Sequence, residues 1–235
     1  MSGHSHARTV LHTKTTEDAK RSKAFSKMAC VIIIAAKEGG GDPVSNTKLK
    51  TAIEQAKKIN MPKDKIEKSI KKGTGELEGG KMEQVTFEAY GPNNIALIIE
   101  GITDNKNRTL GEVKKILSQY NGKLANEGSV KWMFERKGVI AIKKGSKSED
   151  DLEMEAIDAG AEDIEAQEDT IYIYTNPTEL DNVKKNLEEK GIEIDSSSLG
   201  WIAKETLKIE NKESFEKLME ALDDNDDVQD IYSNI

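Results

Sequence analysis

Apolar residues recur with a helical period from Glu17 onward, and Phe25, Met28, Ala29, Ile32, Ile33 and Ala36 share one face. At about 100° per residue, Lys20, Lys23 and Lys27 fall on the opposite side. Beyond Cys30 the run "VIIIAA" is apolar all round, so that half of the helix is expected to lie between neighbours. "EGGGDP" ends it, because glycines followed by proline cannot continue a helix. A second helix, 46–59, aligns Leu49, Ala52, Ile53 and Ala56. A third opens in "NMPKDKIEKSIKKG", with Pro62 suited to the first helical position, Lys71 and Lys72 late, and Gly73 as the stop. "GTGELEGG" reads as a linker.

From Lys81 the period shortens to two. "QVTFEAY" and "NIALIIEGI" predict paired strands across a "GPNN" turn, followed by a helix over 107–120 and a strand in "SVKWMFE". "GVIAIKK" starts a second cycle: a helix over 149–159, strands in "IEAQEDTIYIYT", a helix over 177–190 and a strand in "IEIDSSSLGW". The tail "TLKIE", "KESFEKLMEALDD" and "VQDIYSNI" predicts strand, helix, strand. The expected class is α+β, with a basic helical domain 1–80, an α+β domain 81–135 plus 205–235, and an inserted α+β domain 136–204. Both α+β domains are read as ferredoxin-like, of the split βαβ kind.

Charge sharpens this division. The chain carries a formal −8, yet residues 1–80 hold 16 Lys and Arg against 9 Asp and Glu, while residues 81–235 hold 19 against 34. Segregation of sign on this scale is the footprint of a surface for a polyanion. The candidate contacts are His4, Lys14, Lys20, Arg21, Lys23 and Lys27, extended by Lys63, Lys65, Lys68, Lys71 and Lys72. Arg21 projects nearer the apolar face, where pairing with a carboxylate of another helix is the alternative. Asn105, Lys106 and Arg108 in the strand-to-helix loop "TDNKNRT" could add a phosphate contact or could simply form a turn with an N-cap. No zinc finger, homeodomain, RNP motif or GxxG clamp is present, so the composition favours phosphate contact over base reading.

Other chemistry is not supported. "GGGDP" lacks the Lys-Ser/Thr of a phosphate loop. His4, His6 and His12 lack a fourth metal ligand at suitable spacing, and Cys30 is distant in sequence. The acidic runs "SEDDLEMEA" and "DDNDDVQD" read as solvated charge. No acid–base pair or nucleophile stands in a catalytic context, so no enzyme, metal or cofactor is expected. One cysteine fits a reducing compartment, and "MSGHSHARTV" lacks the apolar core of a secretory signal, so a cytoplasmic location is expected. No stretch reaches the roughly 18 to 20 apolar residues of a membrane span.

Several segments together resemble the YebC family in order and spacing: "GHS", "DAKRSKAFSK", "GGGDP", "NMPKDKIEKSIKKGTGELEG", "YGP", "TDNKNRT", "GSVKWMFERKG" and "DDVQDIYSN". That family includes proteins described as transcriptional regulators and the mitochondrial translational activator of cytochrome c oxidase subunit one. The resemblance implies three domains and a non-enzymatic role in gene expression. This sequence departs from the family where His6 and Ala7 follow "GHS", and where Leu11, His12, Thr13 and Lys14 replace a more basic stretch. The N-terminal arm is therefore less basic and lacks an aromatic that could stack on a base. The expected activity is that of a cytoplasmic, monomeric regulator binding nucleic acid. Its target is either DNA or ribosomal or transfer RNA, the ribosome included. A protein-interaction adaptor is the alternative of a different class.

Overall fold

The computed structural model describes residues 17–78, 81–144, 149–167, 170–209 and 212–235. Three helices come first: α1 (Glu17–Gly39), α2 (Thr47–Lys58) and α3 (Lys63–Gly73). Their shared core holds Phe25, Ile32, Ala36, Leu49, Ala56 and Ile66. The buried Asn46 joins two of them. Its Oδ1 accepts from the Leu49 amide at 3.0 Å, capping α2, and its Nδ2 donates to the Ala35 and Gly40 carbonyls at 2.8 Å. Pro62 sits one position before α3, which begins at Lys63.

Strands β1 (Glu83–Tyr90) and β2 (Ala96–Thr103) form the expected hairpin, with Asn93 and Asn94 turning the chain in the left-handed conformation. Helix α4 (Lys106–Gln119) and the two-residue strand β3 (Lys123–Leu124) follow. The inserted part then runs through β4 (Phe134–Lys143), α5 (Glu149–Ala159), β5 (Asp163–Gln167), β6 (Thr170–Thr175), α6 (Leu180–Glu189) and β7 (Ile194–Ala203). The chain returns through α7 (Glu213–Asp223) and β8 (Val228–Ser233) to the first sheet.

Both sheets are four-stranded and antiparallel, ordered β3-β1-β2-β8 and β5-β6-β4-β7. The second sheet is a ferredoxin-like βαββαβ unit, with Ile140, Ile142, Ile171 and Ile173 packed on Leu152, Val183 and Leu187. The first occupies the same strand positions in a different chain order. Its hairpin precedes the split β2–α4–β3 unit, so it is not a simple βαββαβ repeat.

The described residues form two compact units, and α1–α3 share one with the first sheet, from Glu17 to Val130 and Lys208 to Ser233. The other holds Lys131–Leu207 with Asn234–Ile235. Within the first unit α1 contacts β2 as well as α2 and α3. That placement buries Ile32 through Ala36 on every side, as the run "VIIIAA" requires.

Among the described residues one expected strand is cut short and another is absent. Just before "SVKWMFE" the chain turns at Gly128, in the left-handed region, and within it makes one 3-10 turn at Lys131–Met133 before β4 starts at Phe134. The cause is Glu88, a buried carboxylate in β1 that accepts from the amides of Gly128 and Val130, both at 2.6 Å. Those amides are thereby taken from any strand ladder. "TLKIE" forms no strand over its described residues, 206–209. Leu207 is exposed while Thr206 and Ile209 are half-buried, so no strand face alternates there.

Gly73 sets how closely α3 approaches α1. A Cβ there would lie 2.5 Å from the Ile33 carbonyl oxygen and 2.7 Å from Ala36 Cβ. Helix propensity alone would make Gly73→Ala stabilising by up to about 1 kcal/mol. Because the contact includes backbone, the substitution is expected to destabilise by about 1–3 kcal/mol in urea unfolding. A more stable variant would contradict the close approach.

Candidate nucleic-acid interface

The basic row of α1 does not face open water. Lys23 Nζ lies 2.8 Å from Asp224 Oδ1, and Lys27 Nζ lies 2.8 Å from Asp223 Oδ1 while also donating to the Asp223 carbonyl at 3.0 Å. Their side chains are only 22% and 15% exposed. Asp223 ends α7 and Asp224 follows it, so Lys27 meets both a carboxylate and the negative end of the helix dipole. Lys23, Lys27, Cys30, Ile34 and Lys37 follow one line along α1 at alternating spacings of four and three. Ile34 is buried, and Lys37 donates to the Met82 carbonyl at 2.8 Å. The row is thus the charged end of a stripe that docks the helices on the first sheet's unit.

The acidic run "DDNDDVQD", expected to be solvated, supplies the other side of that contact and a second one. Asp227 Oδ2 accepts from Thr109 Oγ1 at 2.6 Å, Arg108 Nη2 at 2.8 Å and Thr103 Oγ1 at 3.1 Å. The Asp227 carbonyl takes the Ile102 amide at 2.8 Å, an approach open only because residue 101 is glycine: a Cβ there would sit 2.6 Å from that oxygen. Asn225 reaches back to Glu112 of α4 at 2.7 Å. Burial pushes the Asp227 carboxyl upward, but the bonds from Thr109, Arg108 and Thr103, with the Arg108 charge, outweigh it and hold the group below its ordinary range. Cys30 is pushed the other way, first by burial and then by Asp227, Asp226 and Asp104, so it remains a thiol.

The same geometry assigns the loop "TDNKNRT". Asn105 caps α4, its Oδ1 accepting from the Arg108 amide at 3.1 Å. Arg108 is held between Asp104 at 2.9 Å and Asp227 at 2.8 Å. Lys106 is exposed.

The third helix differs from the first. Lys63, Lys65, Lys68, Lys71 and Lys72 are all exposed. Ile66, Ser69 and Gly73 turn inward, so Lys68, Lys71 and Lys72 fall on the outer side. Lys63–Glu67 at 3.6 Å and Lys68–Asp64 at 3.9 Å are loose intrahelical pairs between exposed side chains, which contribute little. Lys65 Nζ stands 5.2 Å from the Phe25 ring centroid, inside cation–π range. On α1, Arg21 is exposed and Lys20 half-buried, with no ion pair for either among the described residues. His4 and Lys14 lie outside the described residues.

Sequence reading missed two groups. Lys48, Lys50, Lys57 and Lys58 on α2 are exposed beside this basic set; the charge count held them, but only the helix's apolar face was assigned. Thr103, Thr109 and Asp227 were missed because they are 118 or more positions apart across the clamp, and no local spacing announces that contact. Among the described residues no cluster of three or more His, Cys, Asp or Glu could hold a metal, and no helix is long and apolar enough to cross a membrane.

Comparison with known proteins agrees with this layout. A model of the TACO1/YebC N-terminal domain matches residues 5–76, and one of the TACO1/YebC second and third domain matches 82–235. The chain belongs to the TACO1/YebC family. It is 47% identical to a relative in Pseudothermotoga lettingae and 49% identical to one in Thermosipho melanesiensis, spanning 100% of this chain and 93% of each relative. Both are named probable transcriptional regulatory proteins. The crystal structure of a conserved hypothetical protein from Aquifex aeolicus superposes with a TM-score of 0.89 at 43% identity, over 98% of this chain and 96% of that one. The family therefore pairs with a helical N-terminal segment and two antiparallel sheets, as found here.

The Asp227 clamp has a definite pH signature. Its folded pKa is depressed, so its contribution is present above the ordinary carboxyl value of 3.8 and is lost as pH falls through the lower folded value. Asp227→Ala should cost about 1–3 kcal/mol near neutral pH, because it leaves two buried threonine hydroxyls without that acceptor. Measured by denaturation at several pH values, the gap from the parent should narrow below about pH 4. A gap independent of pH would contradict the clamp.

Proposed function

We propose that this protein is a nucleic-acid-binding regulator of gene expression that holds phosphate backbone through α3 and the adjoining lysines of α2. The observation that carries this reading is the set of five exposed lysines on an eleven-residue helix of a chain whose net charge is −8. The names of its relatives support a regulatory role. Lys23 and Lys27 belong in this reading to the fold and not to the ligand, since a carboxylate already neutralises each. Lys20, Arg21 and Lys106 remain peripheral contacts on the same side of the charge ledger.

The chemistry of α3 also limits what can be recognised. Its outward face offers lysine ammonium groups and carboxylates, with no arginine, asparagine or glutamine for bidentate base reading. Lysine acts on phosphate as a point charge, so affinity should depend on salt more than on sequence. That favours a target recognised by shape, and structured RNA is the second reading beside duplex DNA.

The test titrates the protein against duplex DNA, structured ribosomal RNA and ribosomes at several salt concentrations. If five phosphates are neutralised, the log–log slope on duplex should be about −4 to −5. Lys68→Glu/Lys71→Glu/Lys72→Glu should flatten that slope by about 3 and weaken binding at least tenfold, with the folded state intact. Equal binding by this variant would overturn the assignment to α3. The substrate that retains affinity at physiological salt distinguishes a DNA target from an RNA one.

A further inference from the structure

The inserted unit is acidic, with 10 Lys and Arg against 19 Asp and Glu over residues 131–207. Helix α5 concentrates that charge, carrying six acidic residues and no basic one along eleven positions. Its apolar residues point in two directions. Leu152, Ala156 and Ala159 are buried in the core against the second sheet. Met154 and Ile157 lie on the opposite side, at 67% and 58% exposure. A helix with one packing partner keeps one apolar stripe and a polar outer face. α5 has a second apolar spot, and it stands in water.

Met154 and Ile157 are one turn apart, so their side chains are neighbours on the surface. Carboxylates surround them. Asp150 lies four positions before Met154 and Asp158 four after it, Glu153 lies four before Ile157, and all three acids are exposed. Lys190, just after α6, meets Asp158 at 3.6 Å and leaves that side chain 75% exposed. Acidic charge alone would be an ordinary wet face. Two large aliphatic side chains at its centre are not, because each keeps apolar surface in water where a polar residue would fit.

Charge decides what can cover such a face. Nucleic acid and anionic lipid are repelled by it. A second copy meeting α5 with its own α5 would oppose the same carboxylates. The α3 helix of another copy brings lysines but no apolar stripe, since Ile66 and Ile70 pack into its own core. A helix with aliphatic residues along one stripe and Lys or Arg on the flanks satisfies both features of α5 at once.

We propose that the outer face of α5 docks a basic amphipathic helix of a partner protein, with Met154 and Ile157 at the centre and Asp150, Glu153 and Asp158 around them. The apolar pair supplies the buried contact, and the carboxylates select the partner's charge and speed its approach. This surface is separate from α3 and does not depend on the nucleic-acid reading. It gives the negative charge of the inserted unit a use, attracting a basic protein while holding nucleic acid off.

The test titrates the full chain, by fluorescence anisotropy, with a labelled Leu/Lys peptide of about 18 residues whose leucines follow helical spacing. A control peptide has the same composition with its leucines spread round the helix. The patterned peptide should bind at least tenfold more tightly than the control. Met154→Gln/Ile157→Gln should weaken its binding at least tenfold, with the urea midpoint and duplex affinity unchanged. Asp150→Asn/Glu153→Gln should weaken it too and lessen its dependence on salt. The α3 triple variant should bind the peptide as the parent does, so failure here leaves the α3 assignment to its own duplex result. Equal binding of the two peptides, or by the glutamine pair and the parent, would assign the effect to bulk charge and overturn the proposal. No binding of the patterned peptide would also overturn it. Sedimentation showing that the parent self-associates and the glutamine pair does not would give this face to a second copy, against the proposal.

Discussion

Asp223, Asp224 and Asp227 lie in one short acidic turn, and three elements distant in sequence are fixed to it. Lys23 and Lys27 reach the first two from α1, while Arg108, Thr109 and Thr103 converge on the third from α4 and the end of β2. The turn follows α7 and leads directly into β8. Without it, Lys23 and Lys27 of α1 would lose their carboxylate partners, and Thr103 and Thr109 would bury hydroxyls short of an acceptor. Helices, hairpin and returning strand therefore share one electrostatic fixing point, extended along α1 by apolar contact through Ile34.

This arrangement changes what the charge asymmetry means. The basic excess of the first eighty residues includes cations already matched within the chain, so the surface available to a polyanion is smaller than the count implies. What remains is concentrated on α3, where pairs are loose and side chains stand in water, and on α2, where Lys48 meets Glu38 at 2.7 Å but all four lysines are exposed. Burial of a cation next to a carboxylate and exposure of one beside it are opposite fates for residues of the same type. Packing of the remaining helix face decides between them.

Much of this fold was legible locally. The period of the apolar residues marks α1, α2, α3, α5 and the β1–β2 hairpin to within a residue or two, because each buries a continuous face. Asn46 and Gly39 announce the turn between α1 and α2. Where reading failed, the deciding contact was remote. Glu88 lies about forty positions from the amides that stop "SVKWMFE" being a strand, and Asp227 lies more than a hundred from Thr109. "DDNDDVQD" looked like solvated charge because local composition carries no sign of its partners.

The division of labour between α1 and α3 is tested most directly by a charge swap across the docking seam. Lys27→Glu and Asp223→Lys, singly and together, should be compared for unfolding free energy and for duplex affinity in the same buffer. Each single reversal sets like charges against each other where Lys27 and Asp223 now meet at 2.8 Å, and should destabilise the protein. The swap should recover most of that stability and bind nucleic acid as the parent does. A swapped protein that is stable but has lost nucleic-acid affinity would show that Lys27 meets phosphate after all, and would contradict the account.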